Sequence, residues 1–251
     1  MGSLEKSSPR RVLSTVTATS ISVSVDSCSP HVTMLHLNFA TSPGASPLRV
    51  LCLGAHADDI EIGCAGTLLR LLQSYPDVEV YWVVCSAAGP RRAEAIASAQ
   101  ALTRQAARTT IVVKRFRDGY FPYAGAQLKD YFERLKQEFS PDVIFTHYRD
   151  DLHQDHQQIA ALTWNTFRQH LILEYEIPKY DGDLGTPNFF VHLEKSVAER
   201  KVRHVLSHFE TQHSKRWFTQ DVFYSMLKIR GMEGNAPDLY AEGFYCRKLF
   251  F

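Results

Sequence analysis

The sequence contains no Cys-x-x-Cys pair, and its 5 cysteines (Cys28, Cys52, Cys64, Cys85, Cys246) are scattered and odd in number. A disulfide scaffold needs paired, closely spaced cysteines, so that class is excluded and a reducing compartment is favoured. No apolar run reaches the roughly 20 residues that a membrane-crossing helix requires. The expectation is therefore a soluble, cytoplasmic protein. An excess of one charge is also missing, since 28 Lys and Arg against 27 Asp and Glu leave a net charge of +1. That balance gives no electrostatic reason to expect nucleic acid or an anionic membrane as partner. The G-x-G-x-x-G spacing is absent between Gly54 and Gly66, and carboxylates stand where a pyrophosphate would sit, which argues against dinucleotide binding. No internal repeat or low-complexity linker is present, and oligomeric state is not readable.

The first 46 residues are rich in Ser, Thr and Val and poor in acidic residues, unlike the rest. Arg10-Arg11 is not followed by a compact apolar core, and Lys6 stands where a myristoylation site needs Ser or Thr. The reading is a weakly ordered extension over 1–46, with Met34 as an alternative start, followed by a single domain over 47–251.

From Leu48 onward the pattern alternates strand and helix. Apolar or β-branched runs at Val50–Leu53, Val78–Cys85, Thr110–Phe116 and Val143–Thr146 read as four strands. Periodic segments at Gly63–Gln73, Arg91–Ala107, Leu128–Phe139 and Asp155–Gln169 read as the helices between and after them. This alternation predicts an α/β fold: a Rossmann-like, doubly wound, mostly parallel sheet with helices on both faces. After Leu171 the regularity loosens into a C-terminal subregion. Strands are expected there at Ile172–Ile177, Asn188–Leu193 and Gly243–Leu249, and helices at Val197–His208 and Val222–Arg230.

Ionisable side chains concentrate at two strand ends. The first group is Ala55-His56-Ala57-Asp58-Asp59-Ile60-Glu61, immediately after the first strand. The second runs from His147 to His156 and contains His153-Gln154-Asp155-His156, after the fourth. Unpaired buried charge is costly, so such density calls for a partner, and a divalent cation supplies one. In doubly wound sheets ligands bind outside the carboxyl ends of the strands, where strand order reverses. In a common order the first and fourth strands are neighbours there, which brings the two groups to one crevice. Imidazole and carboxylate together suit zinc, whose catalytic sites use three protein ligands and one open position. His56, Asp59 and one histidine of the second group make such a set. Asp58 is then free to act as a general base, the other histidine as an acid or oxyanion donor, and Asp155 as an orienting partner for a ligand imidazole.

The segment Ala55-His56-Ala57-Asp58-Asp59-Ile60-Glu61-Ile62-Gly63 resembles the A-H-P/A-D-D-x-E-x-G signature of the zinc-dependent PIG-L/LmbE-like de-N-acetylases, and His153-Gln154-Asp155-His156 resembles their H-x-D-H motif. The likeness covers the chain from about Arg49 onward. It implies His56, Asp59 and His156 as ligands of one Zn2+, or of another divalent metal, per subunit. It implies Asp58 as general base and His153 as the group that stabilises the tetrahedral intermediate and assists amine departure, with Asp155 completing the catalytic set. Asp118-Gly119 matches an element whose carboxylate holds sugar hydroxyls, and Arg91 or Arg92 falls where relatives place a substrate-contacting arginine. Ala57 takes the place of the commoner proline and Ile60 separates the Asp pair from Glu61; neither departure removes a ligand.

The implied activity is removal of an N-acyl group, in the first place acetyl, from a small-molecule amino sugar or glycoconjugate. A metal-dependent phosphoesterase and a non-catalytic carbohydrate-binding protein on the same fold are the alternatives. Tyr120, Phe121, Tyr123, Trp164 and Trp217 are candidates for lining a sugar or acyl pocket, against the simpler reading that they belong to the core. His147, Asp150 and Asp151 read as shaping the loop or supporting the site.

Overall fold

The computed structural model describes residues 20–24, 36–40 and 46–249. The chain divides into two compact units, Met1–Ser46 and Pro47–Phe251. In the first, β1 (Ser20–Ser24) and β2 (His36–Ala40) pair antiparallel, with Ile21 opposite Phe39. The sequence reading expects no strands here, although Ser20 to Ser24 alternates polar and apolar with the period of a strand. The readings made at Arg10-Arg11 and Met34 lie outside the described residues.

The second unit opens with β3 (Leu48–Gly54), α1 (Asp59–Ser74), β4 (Val78–Val84), α2 (Gly89–Leu102) and β5 (Arg108–Val113). It continues with α3 (Gly125–Glu138), β6 (Val143–His147), α4 (Gln154–Thr166) and β7 (Leu171–Tyr175). Then follow β8 (Phe189–His192), α5 (Lys195–His208), α6 (Gln220–Glu233) and β9 (Ala241–Cys246). The seven strands take the order β5-β4-β3-β6-β7-β9-β8. Pairing is parallel from β5 through β7, and β9 and β8 extend the sheet antiparallel. This is the Rossmann-like, mostly parallel sheet that the alternation predicts.

The chain crosses from β3 outward to β4 and β5, then returns to lay β6 on the other side of β3. Strand order therefore reverses between β3 and β6, and the crevice opens beyond their carboxyl ends. β3 is buried almost throughout because both its faces are covered, so its sequence is a continuous apolar run without alternation. Leu51, Leu53 and Ile144 join Phe121, Leu128, Phe132, Leu135 and Ile159 in the core beneath α3 and α4. α1, α5 and α6 contact one another in series, and α1 and α6 also contact β9. No helix among the described residues is long and apolar enough to cross a membrane.

α1 starts at Asp59, not Gly63, which puts Asp59 and Glu61 in its first turn, where the charge of Asp59 meets the positive end of the helix. α2 stops at Leu102 and α4 at Thr166, both short of the expected ends at Ala107 and Gln169.

Candidate metal centre and active site

Residues Ala55–Asp58 link β3 to α1, and Tyr148–His153 link β6 to α4, so adjacent strands deliver the two ionisable groups to one place. His56 Nδ1 lies 3.2 Å from His156 Nε2 and 3.4 Å from Asp59 Oδ2, and His156 Nε2 lies 3.6 Å from Asp59 Oδ1. Donors held at about 2.0–2.1 Å around a tetrahedral cation are about 3.3–3.4 Å apart. Nitrogen, nitrogen and carboxylate oxygen at these separations fit a divalent ion such as zinc. The remaining ring nitrogens fix how these donors face. His56 Nε2 is 3.1 Å from both Asp155 Oδ2 and Asp118 Oδ1. His156 Nδ1 is 2.9 Å from Asp151 Oδ2. Carboxylates on the outer nitrogens turn Nδ1 of His56 and Nε2 of His156 inward, as the atoms that would face a cation.

The electrostatics favour positive charge at this point. Burial disfavours the His56 imidazolium, but Asp59, Asp118 and Asp155 outweigh it and raise its pKa well above the usual imidazole value. Burial and the neighbouring His147 lower His156 to about 4. Asp59 is buried, yet His156, His147 and His56 hold it well below the usual carboxylate range. The site thus concentrates an ionised carboxylate and a neutral imidazole where positive charge is wanted.

Asp58 stands at the N-cap position of α1, but its side chain makes no capping bond, so capping does not account for it. Its Oδ1 instead accepts from Arg91 Nη2 at 3.0 Å. Burial and the Asp59 charge raise its pKa, against Arg91 and Lys215. His153 caps α4: its Nδ1 accepts from the Asp155 amide at 3.2 Å, and its ring stacks on His156 with centroids 4.5 Å apart. Burial, reinforced by His56, lowers its pKa. Nδ1 being an acceptor, the neutral His153 ring carries its proton on Nε2.

Asp155 is fully buried and ties three parts together. Besides His56 it accepts from the Gly119 amide at 2.7 Å and the Phe121 amide at 3.0 Å. Gly119 has φ +78°, a conformation that glycine adopts without strain, and this turn presents the half-exposed Asp118 to the crevice. Asp118 Oδ2 is 3.4 Å from Arg91 Nη1, and the His56 hydrogen bond brings its pKa down to about 2. Arg92 turns elsewhere and donates to the Val113 carbonyl.

A cavity of ≈ 290 Å³ covers these groups; beyond His56, Asp58, Asp59, Arg91, Asp118, His153 and His156, its walls include Tyr180, Lys215 and Trp217. Of the aromatic residues singled out in the sequence, Trp217 lines it, while Phe121 is fully buried in the core. Tyr180 and Lys215 carry no sequence signal that separates them from ordinary loop residues. His147 belongs closer to the site than a loop-shaping role implies. Its ring stacks on His156 at 3.9 Å, and its Nε2 is 3.2 Å from Asp59 Oδ2.

Residues 51–167 match the family model described as PIG-L, GlcNAc-PI de-N-acetylase. That segment runs from β3 past the end of α4 and contains both strand-end groups. The match agrees with the resemblance that the two motifs carry. Among solved structures the chain is similar to N,N'-diacetylchitobiose deacetylase from Pyrococcus horikoshii in complex with an inhibitor, at 21% identity and TM-score 0.59 over 80% of this chain and 84% of that one. It is similar to the zinc-inhibited form of a teicoplanin deacetylase, at 17% identity and TM-score 0.61 over 78% of this chain and 97% of that one. It is also similar to GalB, the 4-carboxy-2-hydroxymuconate hydratase of Pseudomonas putida, at 16% identity and TM-score 0.61 over 81% of this chain and 97% of that one. At such identities the likeness is one of fold, and the fold carries more than one chemistry.

Proposed function

We propose that this chain is a metal-dependent hydrolase that removes an N-acyl group, acetyl in the first place, from an amino sugar or glycoconjugate. The observation that carries the reading is the inward-facing trio of His56 Nδ1, His156 Nε2 and the Asp59 carboxylate, 3.2 to 3.6 Å apart, with the uncapped Asp58 beside it. The PIG-L match over residues 51–167 supports a de-N-acetylase over other hydrolases. Zinc suits the donor set best, at one ion per chain. The four free thiols among the described residues, Cys52, Cys64, Cys85 and Cys246, fit a cytoplasmic location.

A divalent cation on those three donors would supply Lewis acidity to the amide carbonyl and to water. Asp58 takes a proton from the attacking water as the carbonyl carbon becomes tetrahedral. His153, neutral and protonated on Nε2, donates a hydrogen bond to the oxygen on which negative charge develops. As the C–N bond breaks, the proton held by Asp58 passes to the departing nitrogen, giving the free amine and the carboxylic acid. Asp118 accepts from sugar hydroxyls and Arg91 donates at the same face, while Tyr180 and Trp217 wall the cavity.

The test is metal analysis together with acetate release from N-acetylglucosamine and its glycosides, run beside phosphomonoesters. Asp58→Asn should keep the metal and lose about 100- to 10,000-fold in turnover, the usual scale for a general base. Unchanged turnover in that variant would remove Asp58 from the chemistry. Phosphate release without acetate release would replace the deacylase reading by a phosphoesterase, and tight glycan binding without either would make the chain a binding protein.

A further inference from the structure

α1 is broken at Cys64, where φ is −144° and ψ is 15°. In an unbroken helix the amides of Gly66 and Thr67 would turn to the carbonyls of Ile62 and Gly63. Here the Gly66 amide donates to Glu242 Oε1 at 2.8 Å and the Thr67 amide to Glu242 Oε2 at 2.7 Å. The Thr67 hydroxyl donates to the same Oε2. The Ile62 carbonyl accepts from Lys201 Nζ at 2.6 Å, and Lys201 closes the set through an ion pair with Glu242. A carboxylate from β9 and an ammonium from α5 have entered the ladder of the helix, a recognised cause of a kink. Each sits at the helix end that its charge favours: the carboxylate at the start of the second segment, the ammonium at the end of the first. Lys201 and Glu242 are both buried. The close approach needs glycine, because a Cβ on Gly66 would lie 2.9 Å from Glu242 Oε1 and 2.5 Å from Leu193 Cδ1.

The first segment is short and carries the site. The Ile62 amide donates to the Asp58 carbonyl at 3.0 Å, so the residue whose carbonyl Lys201 holds also closes the turn that contains Asp58 and Asp59. Asp59 Oδ2 in turn accepts from the His56 amide at 2.6 Å. One hydrogen-bonded turn separates the buried ion pair from the Asp59 carboxylate. Both members of the pair lie outside residues 51–167, the segment that matches the family model.

We propose that Lys201 and Glu242 are positioning residues: by replacing the missing backbone bonds at the break in α1, they hold the Asp58–Ile62 turn, and with it Asp59, in register for the metal. This rests on the reading of Asp59 as a metal ligand.

The experiment compares zinc affinity, by competition with a chelator, in the wild type, Glu242→Gln, the double variant Lys201→Met/Glu242→Gln, and Leu135→Ala. The last opens a cavity under α3, away from the turn, and reports what lost stability alone does. The expected result is about 10- to 100-fold weaker zinc binding in both Glu242 variants, the scale for groups that support a ligand, with Leu135→Ala close to wild type. The cobalt(II) forms of the Glu242 variants should show altered visible bands, which a purely structural role leaves unmoved. Amide exchange in the wild type supplies an arm that no folding failure removes: zinc should slow exchange at Ile62, Gly66 and Thr67. Wild-type affinity in the Glu242 variants, an equal loss in Leu135→Ala, or exchange at the break unaffected by zinc overturns the proposal. A wild-type chain that takes up no metal overturns the Asp59 reading itself, and this proposal with it, before any variant is compared.

Discussion

His156 Nδ1 lies 2.9 Å from Asp151 Oδ2, and this contact decides which nitrogen of the His156 ring faces His56 and Asp59. The same carboxylate accepts from the His153 amide at 2.7 Å and pairs with Lys179 Nζ at 3.0 Å. Burial works against the charged carboxylate, but His156, His147 and Lys179 outweigh it and hold its pKa well below the usual range. Asp151 is thus an ionised acceptor that fixes one imidazole and the loop carrying the other.

Asp151→Asn should weaken metal binding by about 10- to 100-fold, since an amide accepts the His156 proton less strongly and no longer balances Lys179. Asp150→Asn is the control. Asp150 is an exposed neighbour that pairs with Arg247 at 3.5 Å and meets Tyr148, and its neutralisation should leave metal affinity unchanged. Chelator competition on the two variants separates a role specific to Asp151 from a general effect of charge on this loop.

Arg91 and Arg92 are indistinguishable in the sequence, and the structure separates them by partner. Arg91 reaches Asp58 and Asp118 across the mouth of the cavity, while Arg92 holds the Val113 carbonyl at the end of β5. Arg91→Ala should lower kcat/KM on an N-acetylated sugar by about tenfold or more, because a hydrogen bond to a charged group contributes about 1.5–3 kcal/mol. Arg92→Ala should leave kcat/KM near the wild-type value and reduce stability by about 1 kcal/mol, the scale of one lost hydrogen bond. Steady-state kinetics and urea unfolding on the pair decide it; equal losses of kcat/KM would mean that Arg91 has no privileged place.

The two strand-end groups were legible because the chemistry of the site requires rare residue types in a fixed order. Their meeting was legible because the order β5-β4-β3-β6 places β3 beside β6. The start of α1 was not, since Asp59 and Glu61 are buried polar residues and interrupt the apolar period that marks a helix. The place of Asp155 between His153 and His156 marks it as an orienting group in the sequence. Asp151 and Asp150 look alike in sequence, and only the fold turns one onto His156. The break in α1 depends on Lys201 and Glu242, which lie more than a hundred residues downstream of it and carry no motif. Long-range hydrogen bonds of that kind leave no local period or spacing to read.

Behind the first turn of α1, Ser98 Oγ lies 2.8 Å from His204 Nε2 and also donates to the buried Glu61. Burial, with the nearby His208 and Arg200 charges, lowers His204 to about 3 from the ordinary 6.5. The sign of its effect follows from proton counts. Between those two values the unfolded chain holds a proton on His204 and the folded chain does not, so stability falls as pH decreases through that window, and above it His204 contributes no pH dependence. Glu61 acts in the opposite sense, because burial raises its pKa well above the usual carboxylate value and its contribution is lost as pH rises. His204→Gln keeps a donor for Ser98 and cannot take up a proton, while Glu61 is common to both chains. The loss of Tm on moving from about pH 7 to about pH 5, the range in which an unperturbed histidine titrates, should be smaller in His204→Gln than in the wild type. Calorimetry at the two pH values measures it. An equal loss in both would show that His204 is not held neutral in the folded state.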